Sequence, residues 1–156
     1  MPTDFVESQG TEIFLLAPGE TTPLAMSCPT SASKSGGDRN MIEILCLNAI
    51  DPEFRAGSRT PTTWSIPFAL VPTDVSQQEL FDLEESGAIV PFVIALSDGV
   101  ADPTVVADAL VPPAARTSFA FSAIVMGVGI EIATNDVVRG TLSLQVSGPV
   151  TRTWKS

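Results

Sequence analysis

The side chains that could do chemistry in this chain are few, and their spacing does not favour it. The 156 residues include no histidine and no tyrosine, so the commonest general base and the commonest metal ligand are both missing. Cys28 and Cys46, the two cysteines, cannot by themselves complete a tetrahedral zinc site. The opening Met1-Pro2-Thr3-Asp4 lacks the basic and apolar regions of an export signal, so both thiols are expected to be reduced and buried. A serine nucleophile would need a lysine as its base, but Lys34 and Lys155 fall in a polar loop and the tail. Asp82-Leu83-Glu84-Glu85-Ser86-Gly87 has the composition of a calcium loop, yet it lies in a helical pattern, and Val93 stands where the closing acid is required. Gly127-Val128-Gly129 lacks the third glycine of a dinucleotide fingerprint and opens no helix. It reads as glycine inside a strand, easing a bend or a close approach. The pair Glu84 and Glu85 is accounted for by a solvated helix face. An enzyme is therefore the weakest class, and neither cofactor nor metal is expected.

Composition then bounds the scaffold. At this length a globule withdraws ~70% of its unfolded surface from water, enough for a single-domain core. Hydrophobic residues make up 44% and charged residues 17%, against a usual charged share of ~25%; the mean hydropathy is +0.29. Disorder is excluded by this balance. A membrane span is not expected either, since the longest uncharged apolar stretch, Ala88 to Leu96, is half of the ~20 residues a bilayer helix needs. Eighteen acids against eight bases give a net charge of −10. The bases Lys34, Arg39, Arg55, Arg59, Arg116, Arg139, Arg152 and Lys155 form no cluster, so tight nucleic-acid binding is excluded. Contact with DNA that must not stick is not.

Alternation with period two dominates the chain. From Val137 to Gly148, Val138, Leu142, Leu144 and Val146 alternate with Arg139, Thr141, Ser143, Gln145 and Ser147. From Thr62 to Val71, Trp64, Ile66, Phe68 and Leu70 face away from Thr63, Ser65 and Ala69. Pro67 predicts an edge position or a bulge there. Further strands are expected over Glu12–Leu16, Thr22–Cys28, Met41–Leu47, Ala88–Leu96 and Thr117–Ile130. In the last, the apolar side switches near Ala123, as if the strand passed between two environments or were buried on both faces. Asn135-Asp136 reads as a hairpin turn. One helix is expected after Asp74, with Gln77 completing a capping box and Gly87 closing it; Leu80 and Leu83 share its packing face. Ser31–Arg39, Asn48–Pro61 and Asp98–Ala115 read as loops, residues 1–10 as an arm and 149–156 as a tail. The expected fold is one mainly β domain, a β-sandwich of two antiparallel sheets with one flanking α-helix. Its apolar surplus and open strand edges point to self-association.

In order and spacing these elements resemble the tail tube (major tail) proteins of long, non-contractile-tailed bacteriophages. The likeness is carried by Ser35-Gly36-Gly37-Asp38 leading into Met41–Leu47 and a long polar loop. It continues in Trp64–Leu70 followed by Asp74–Leu83, and in the closing hairpin from Phe119 through Asp136-Val137-Val138 to Ser147-Gly148. The carboxy-terminal immunoglobulin-like domain that some members carry is not found. The resemblance implies a virion structural protein, assembled in the host cytoplasm, whose homo-hexameric rings stack into a hollow tail for DNA delivery. Each copy would give a four-stranded sheet to an inner barrel of about 24 strands, roughly 50 Å across at ~4.8 Å between strands and ~40° tilt. Implied partners are other copies, the tape measure protein and viral DNA in the lumen, and tail terminator and distal tail proteins at the ends. Thr141, Ser143, Gln145 and Ser147 are the candidate lumen-lining residues. The Asn48–Pro61 loop, with Asp51, Glu53, Phe54, Arg55 and Arg59, is the candidate contact to the next ring. A type VI secretion-like tube protein would share fold and ring but pass effectors. A monomeric β-sandwich binding module is disfavoured by the 6% aromatic content.

Overall fold

A computed structural model describes residues 5–156. In chain order the strands are β1 (Glu12–Leu15), β2 (Leu24–Ala25), β3 (Ser33–Gly36), β4 (Arg39–Ile44), β5 (Glu53–Arg59) and β6 (Thr62–Ala69). The helix α1 (Val75–Ser86) follows, then β7 (Ile89–Ala95), β8 (Thr104–Val106), β9 (Ala109–Val111), β10 (Ser118–Glu131) and β11 (Arg139–Thr153). The fold is mainly β with one helix, and all its strand pairs are antiparallel.

The two expected sheets are joined through their longest strands into one seven-stranded order, β2-β1-β7-β10-β11-β6-β3. β7 pairs with β10 from Ser118 to Ile124, whereas β6 pairs with β11 from Arg139 to Gln145. Each long strand therefore serves one layer with one half and the second layer with the other. Ile13, Leu15, Phe92 and Ile94 from one layer share a core with Ile66, Phe68, Leu142 and Leu144 from the other. Phe121 stacks on Trp64 at 5.7 Å and on Phe92 at 6.0 Å. Leu80 and Leu83 of the helix close this core.

A β-bulge explains the apolar switch in β10. Val125 is opposite Leu144 and Val128 opposite Leu142, so Met126 is an extra residue between two core-facing positions. The apolar side changes along the sequence but not in space. Of the two readings of Gly127-Val128-Gly129, close approach fails, since a Cβ on Gly127 would meet nothing within 4 Å and one on Gly129 only the Thr141 carbonyl oxygen at 4.0 Å, whereas the bend fits Gly127, which directly follows the bulge. The close approach lies instead at Gly140, against the Phe68 ring. Pro67 is tolerated because its carbonyl accepts from Thr30 N–H and Oγ1. A residue's N–H and C=O point to the same side of a strand, so its missing donor faces away from β11.

Asp74 caps the helix by accepting from Ser76 N–H, and Gly87 closes it in the left-handed conformation at φ 67°. Gln77 does not complete a capping box. Its buried amide accepts from Val71 N–H at 2.7 Å and donates to the carbonyls of Ser27 and Ala69 at 2.9 and 3.0 Å. Backbone groups after β2 (Ser27) and at or just past the end of β6 (Ala69, Val71) outcompete the helix terminus for it.

Several segments expected to be irregular are strands. The 31–39 loop contains β3, the 98–115 loop holds the β8–β9 hairpin, and the 149–156 tail continues β11 as far as Thr153. The strand expected over Thr22–Cys28 shrinks to β2. Leu110 of the small hairpin packs on Phe14, Leu16, Val93 and Ala95, covering the outer side of β1 and β7. Beneath it the buried Arg116 donates to the carbonyls of Gly10, Ala95, Leu96 and Ala101 and pairs with Glu12 at 3.3 Å. Cys28 and Cys46 are free, but both are exposed rather than buried. Cys28, between β2 and β3, takes a φ of 49°, and Cys46 lies in the connection between β4 and β5.

Candidate functional site

The helix and the inner residues of β6 and β11 take up one face of the β10-β11-β6-β3 quartet. The other face is assembled by register. Thr141, Ser143 and Gln145 of β11 lie opposite Pro67, Ser65 and Thr63 of β6, and Ser65 and Thr63 lie opposite Ser33 and Ser35 of β3. On the β10 side the same residues meet Gly129, Gly127 and Ile124. Directly opposed residues in an antiparallel pair share a face, so hydroxyls and bare glycine backbone, with Pro67 and Ile124, form one uncharged surface across four strands. Its groups are tied to one another: Ser35 and Thr63 hydroxyls lie 2.7 Å apart, and Gln145 Nε2 donates to the Thr62 carbonyl at 3.2 Å.

Lys34 is opposite Trp64 and so projects from the other face. Charge on the hydroxyl face is confined to the turn end, where Arg139 stands opposite Glu131 and bonds Asp136 at 3.1 and 3.2 Å. That contact holds the Asp136 carboxyl below its usual range and raises Arg139. Thr141, Ser143 and Gln145 are thus brought together with four residues that sequence reasoning did not assign: Ser33, Ser35, Thr63 and Ser65. Alternation was the available signal, but register was not. Ser147 departs from the group. It lies beyond the last β6 pair, opposite Ser122, in a hollow of about 370 Å³ shared with Pro91 and Asp108–Leu110.

Two edges of this quartet have no strand partner among the described residues. One is the outer edge of β3; the other is β10 past Ile124, where β7 ends. Only Val128 N–H finds an acceptor there, Glu84 Oε2 at 3.2 Å.

The segment 48–61 is not a loop. Glu53, Phe54, Arg55 and Arg59 belong to β5, which pairs with β4 to form an exposed two-stranded arm; Asp51 lies in the connection at its tip. β3–β4 and β5–β6 are one long hairpin, bent where Gly36 and Gly37 take φ of 80° and 81°. A Cβ on Gly36 would lie 2.0 Å from the Pro61 carbonyl oxygen, so the bend requires glycine. Both faces of the arm are apolar in part. Met41, Glu43, Phe54 and Ala56 share one, and Ile42, Ile44, Glu53 and Arg55 the other. Sequence reasoning missed the strand because alternation is a sign of one-sided burial, and the arm has none.

Among the described residues, no three of Cys, Asp or Glu converge closely enough to hold a metal ion.

A family model described as "Phage tail tube, TTP, lambda-like" matches residues 4–156. The chain is 30% identical over 148 residues to "Structural protein 3" of Pseudomonas phage PAJU2, covering 92% of this chain and 90% of that one. Its fold is similar to the SPP1 tail tube, with a TM-score of 0.72 at 11% identity over 97% of this chain and 80% of that one. It is similar also to the tail of an empty gene transfer agent particle refined with C6 symmetry, with a TM-score of 0.69 at 10% identity over 95% and 98%.

Proposed function

The chain belongs to the lambda-like phage tail tube family, and from that footing we propose that six copies close into a ring and that stacked rings form the conduit for the phage genome. It is a structural protein of the virion tail. The sixfold ring follows the symmetry of the similar gene transfer agent tail. The observation that carries the reading is the hydroxyl face of the quartet, bounded by two open edges. In a ring, the β3 edge of one copy pairs with the distal β10 edge of the next. The sheets then join into an inner barrel whose wall carries Thr141, Ser143 and Gln145 with Ser33, Ser35, Thr63 and Ser65, and Ser147 at its margin.

Such a wall suits transport without retention. Phosphate contacts by Lys and Arg release counterions and drive binding; hydroxyls and glycine offer no such gain, and the one arginine of the face is held by Asp136. The passing duplex therefore slides against water-bearing neutral groups. The tape measure protein precedes DNA in the bore, and tail terminator and distal tail proteins cover the ends, as the resemblance implies; assembly takes place in the host cytoplasm. Secretion tubes share the architecture, but family membership places the chain with phage tails.

Negative-stain microscopy of the purified protein at high concentration tests this: hollow rods or rings are expected, and a uniformly small monomer would overturn it. Ser143→Lys should leave tubes intact yet make them retain duplex DNA at low salt. Tubes of that variant that stay inert to DNA would remove Ser143 from the bore.

A further inference from the structure

We infer that the β10–β11 turn, with Ile130, Ile132 and Val137, is the seat for the β4–β5 arm of a copy in the adjoining ring. This rests on the stacked-ring reading above. Register places the two features at opposite ends of the quartet. The arm departs where Gly36 is opposite Thr62; the turn lies where Ala69, Arg139 and Glu131 stand side by side. A stack of identical rings related along one axis is a head-to-tail assembly, so the surface at one end of a copy meets the unlike surface at the other end of the next. The turn, with the β6–α1 connection beside it, lies at the end opposite the arm, and of these the turn presents the exposed Ile132 and Val137.

Both ends have the character this requires. Leu47 and Ile50 at the arm tip are fully exposed, and Met41 and Phe54 are more than half exposed. At the turn, Ile132 is 79% and Val137 56% exposed. A lone two-stranded hairpin is marginal in water, and this one is apolar on both faces, so it is built for insertion between neighbours and not for lying flat on one. Charge allows the approach. The arm carries Arg39, Arg55 and Arg59 against Glu43, Asp51 and Glu53 and is neutral as a unit, while the chain as a whole is at −10. At the seat, Asp136 is already matched by Arg139, which leaves Glu131 to meet an arm arginine.

Two full-length variants test the contact. The first is an Ile132→Asp/Val137→Asp double variant. Both positions are exposed, so its unfolding midpoint should match the parent. It should form rings of unchanged diameter with tube length reduced about tenfold or more, because an unpaired carboxylate opposes burial in an apolar contact. The second is Val137→Cys in a Cys28→Ser background, where a thiol oxidant should join position 137 to the native Cys46 of another copy and give a ladder of linked chains from tubes but only single chains from isolated rings. Tubes of parental length from the first variant together with no linkage in the second would overturn the seat while leaving the tube intact. A double variant that forms no rings would also overturn it, by making the turn a contact within the ring. A parent protein that gives neither rings nor tubes would overturn the stacked-ring reading and this inference with it.

Discussion

Substituting Gly140 with alanine tests whether the hydroxyl face is held by the packing beneath it. Gly140 pairs with Phe68 across β11 and β6, and a Cβ there would stand 2.5 Å from Phe68 Cζ and 2.9 and 3.0 Å from the Cε atoms. Carbon atoms settle at ~3.5–4.0 Å, so the ring would have to retreat by about 1 Å. It has no room to do so, being 1% exposed in a core with Ile66, Leu80, Leu83 and Leu142. Overpacking of this kind costs ~1–3 kcal/mol. At ~2–4 °C per kcal/mol for a chain of this size, the melting midpoint of Gly140→Ala should fall by about 2–12 °C. Urea unfolding followed by the fluorescence of Trp64, whose ring stacks on Phe121, reports the same loss in free energy. Phe68→Leu removes the clash together with some packing. The double variant should therefore be more stable than the two single losses predict, by about 1 kcal/mol. A Gly140→Ala protein within ~0.5 kcal/mol of the parent, or strictly additive losses, would refute the reasoning.

Three further outcomes follow from the same structure. The Asp74 carboxyl is held below its usual range by the hydroxyl of Ser27 and then that of Ser76, with desolvation opposing. A depressed folded value means its contribution is present above the unfolded pKa of ~3.9 and is lost as pH falls through the folded one. Asp74→Ala should cost ~1 kcal/mol at neutral pH and flatten the decline of stability in acid; parallel acid curves would sink this. Arg116→Met leaves the carbonyls of Gly10, Ala95, Leu96 and Ala101 without their donor and should cost about 1–3 kcal/mol for each that stays dry, whereas a total loss under ~1 kcal/mol in guanidinium unfolding would show that water replaces it. Deleting Met126 removes the extra residue of the bulge and leaves Val125 and Val128 opposite Leu144 and Leu142. The chain should therefore fold with its faces unchanged, and proton–proton contacts across β10–β11 by NMR that show a slipped register would contradict this.

Where burial is one-sided, or a short strand is apolar throughout, the sequence is readable, and where burial is absent it is not. β6 and β11 alternate because one face packs on the core, while β7, buried on both faces, stands out as a continuous apolar run; β6 and β7 lie within a few residues of their expected bounds, and β11 runs on to Thr153. β5 and β3 are exposed along their length, so no alternation selects them, and 48–61 and 31–39 read as loops. β8 and β9 are three residues each, too short for a period to register. The switch in β10 was visible, but one inserted residue and a change of environment leave the same trace in a sequence; only the pairing of Val125 and Val128 separates them. Gln77 fits a capping box by position, yet tertiary acceptors claim it. The hydroxyl run of β11 was legible as one stripe. That it continues through Ser65, Thr63, Ser33 and Ser35 depends on register, which no single strand encodes.

The exposed liabilities of the chain sort by direction, and this gives the self-association its geometry. Natural sheets guard open edges with lysine, proline, bulges or charge. The β3 edge has Lys34 and the β10 edge has the bulge at Met126, so both are partly guarded, and both lie at the sides of the quartet. Of the apolar side chains on the quartet, its arm and its turn, the most exposed, Leu47, Ile50 and Ile132, are at the ends, on the arm and the turn. In the proposed ring, lateral contact would be the more demanding step, because it requires two guarded edges to match in register, and axial contact the more apolar one. A net charge of −10 keeps single copies apart over the Debye length of ~8 Å at physiological salt, which suppresses indiscriminate sticking of exposed arms. In the proposed ring, arms held side by side would act together, and many weak apolar contacts would sum through effective concentration into a strong axial one. On the stacked-ring proposal, the ring is the unit that the charge would permit to stack, and the neutral arm is the part of each copy that would cross to the next.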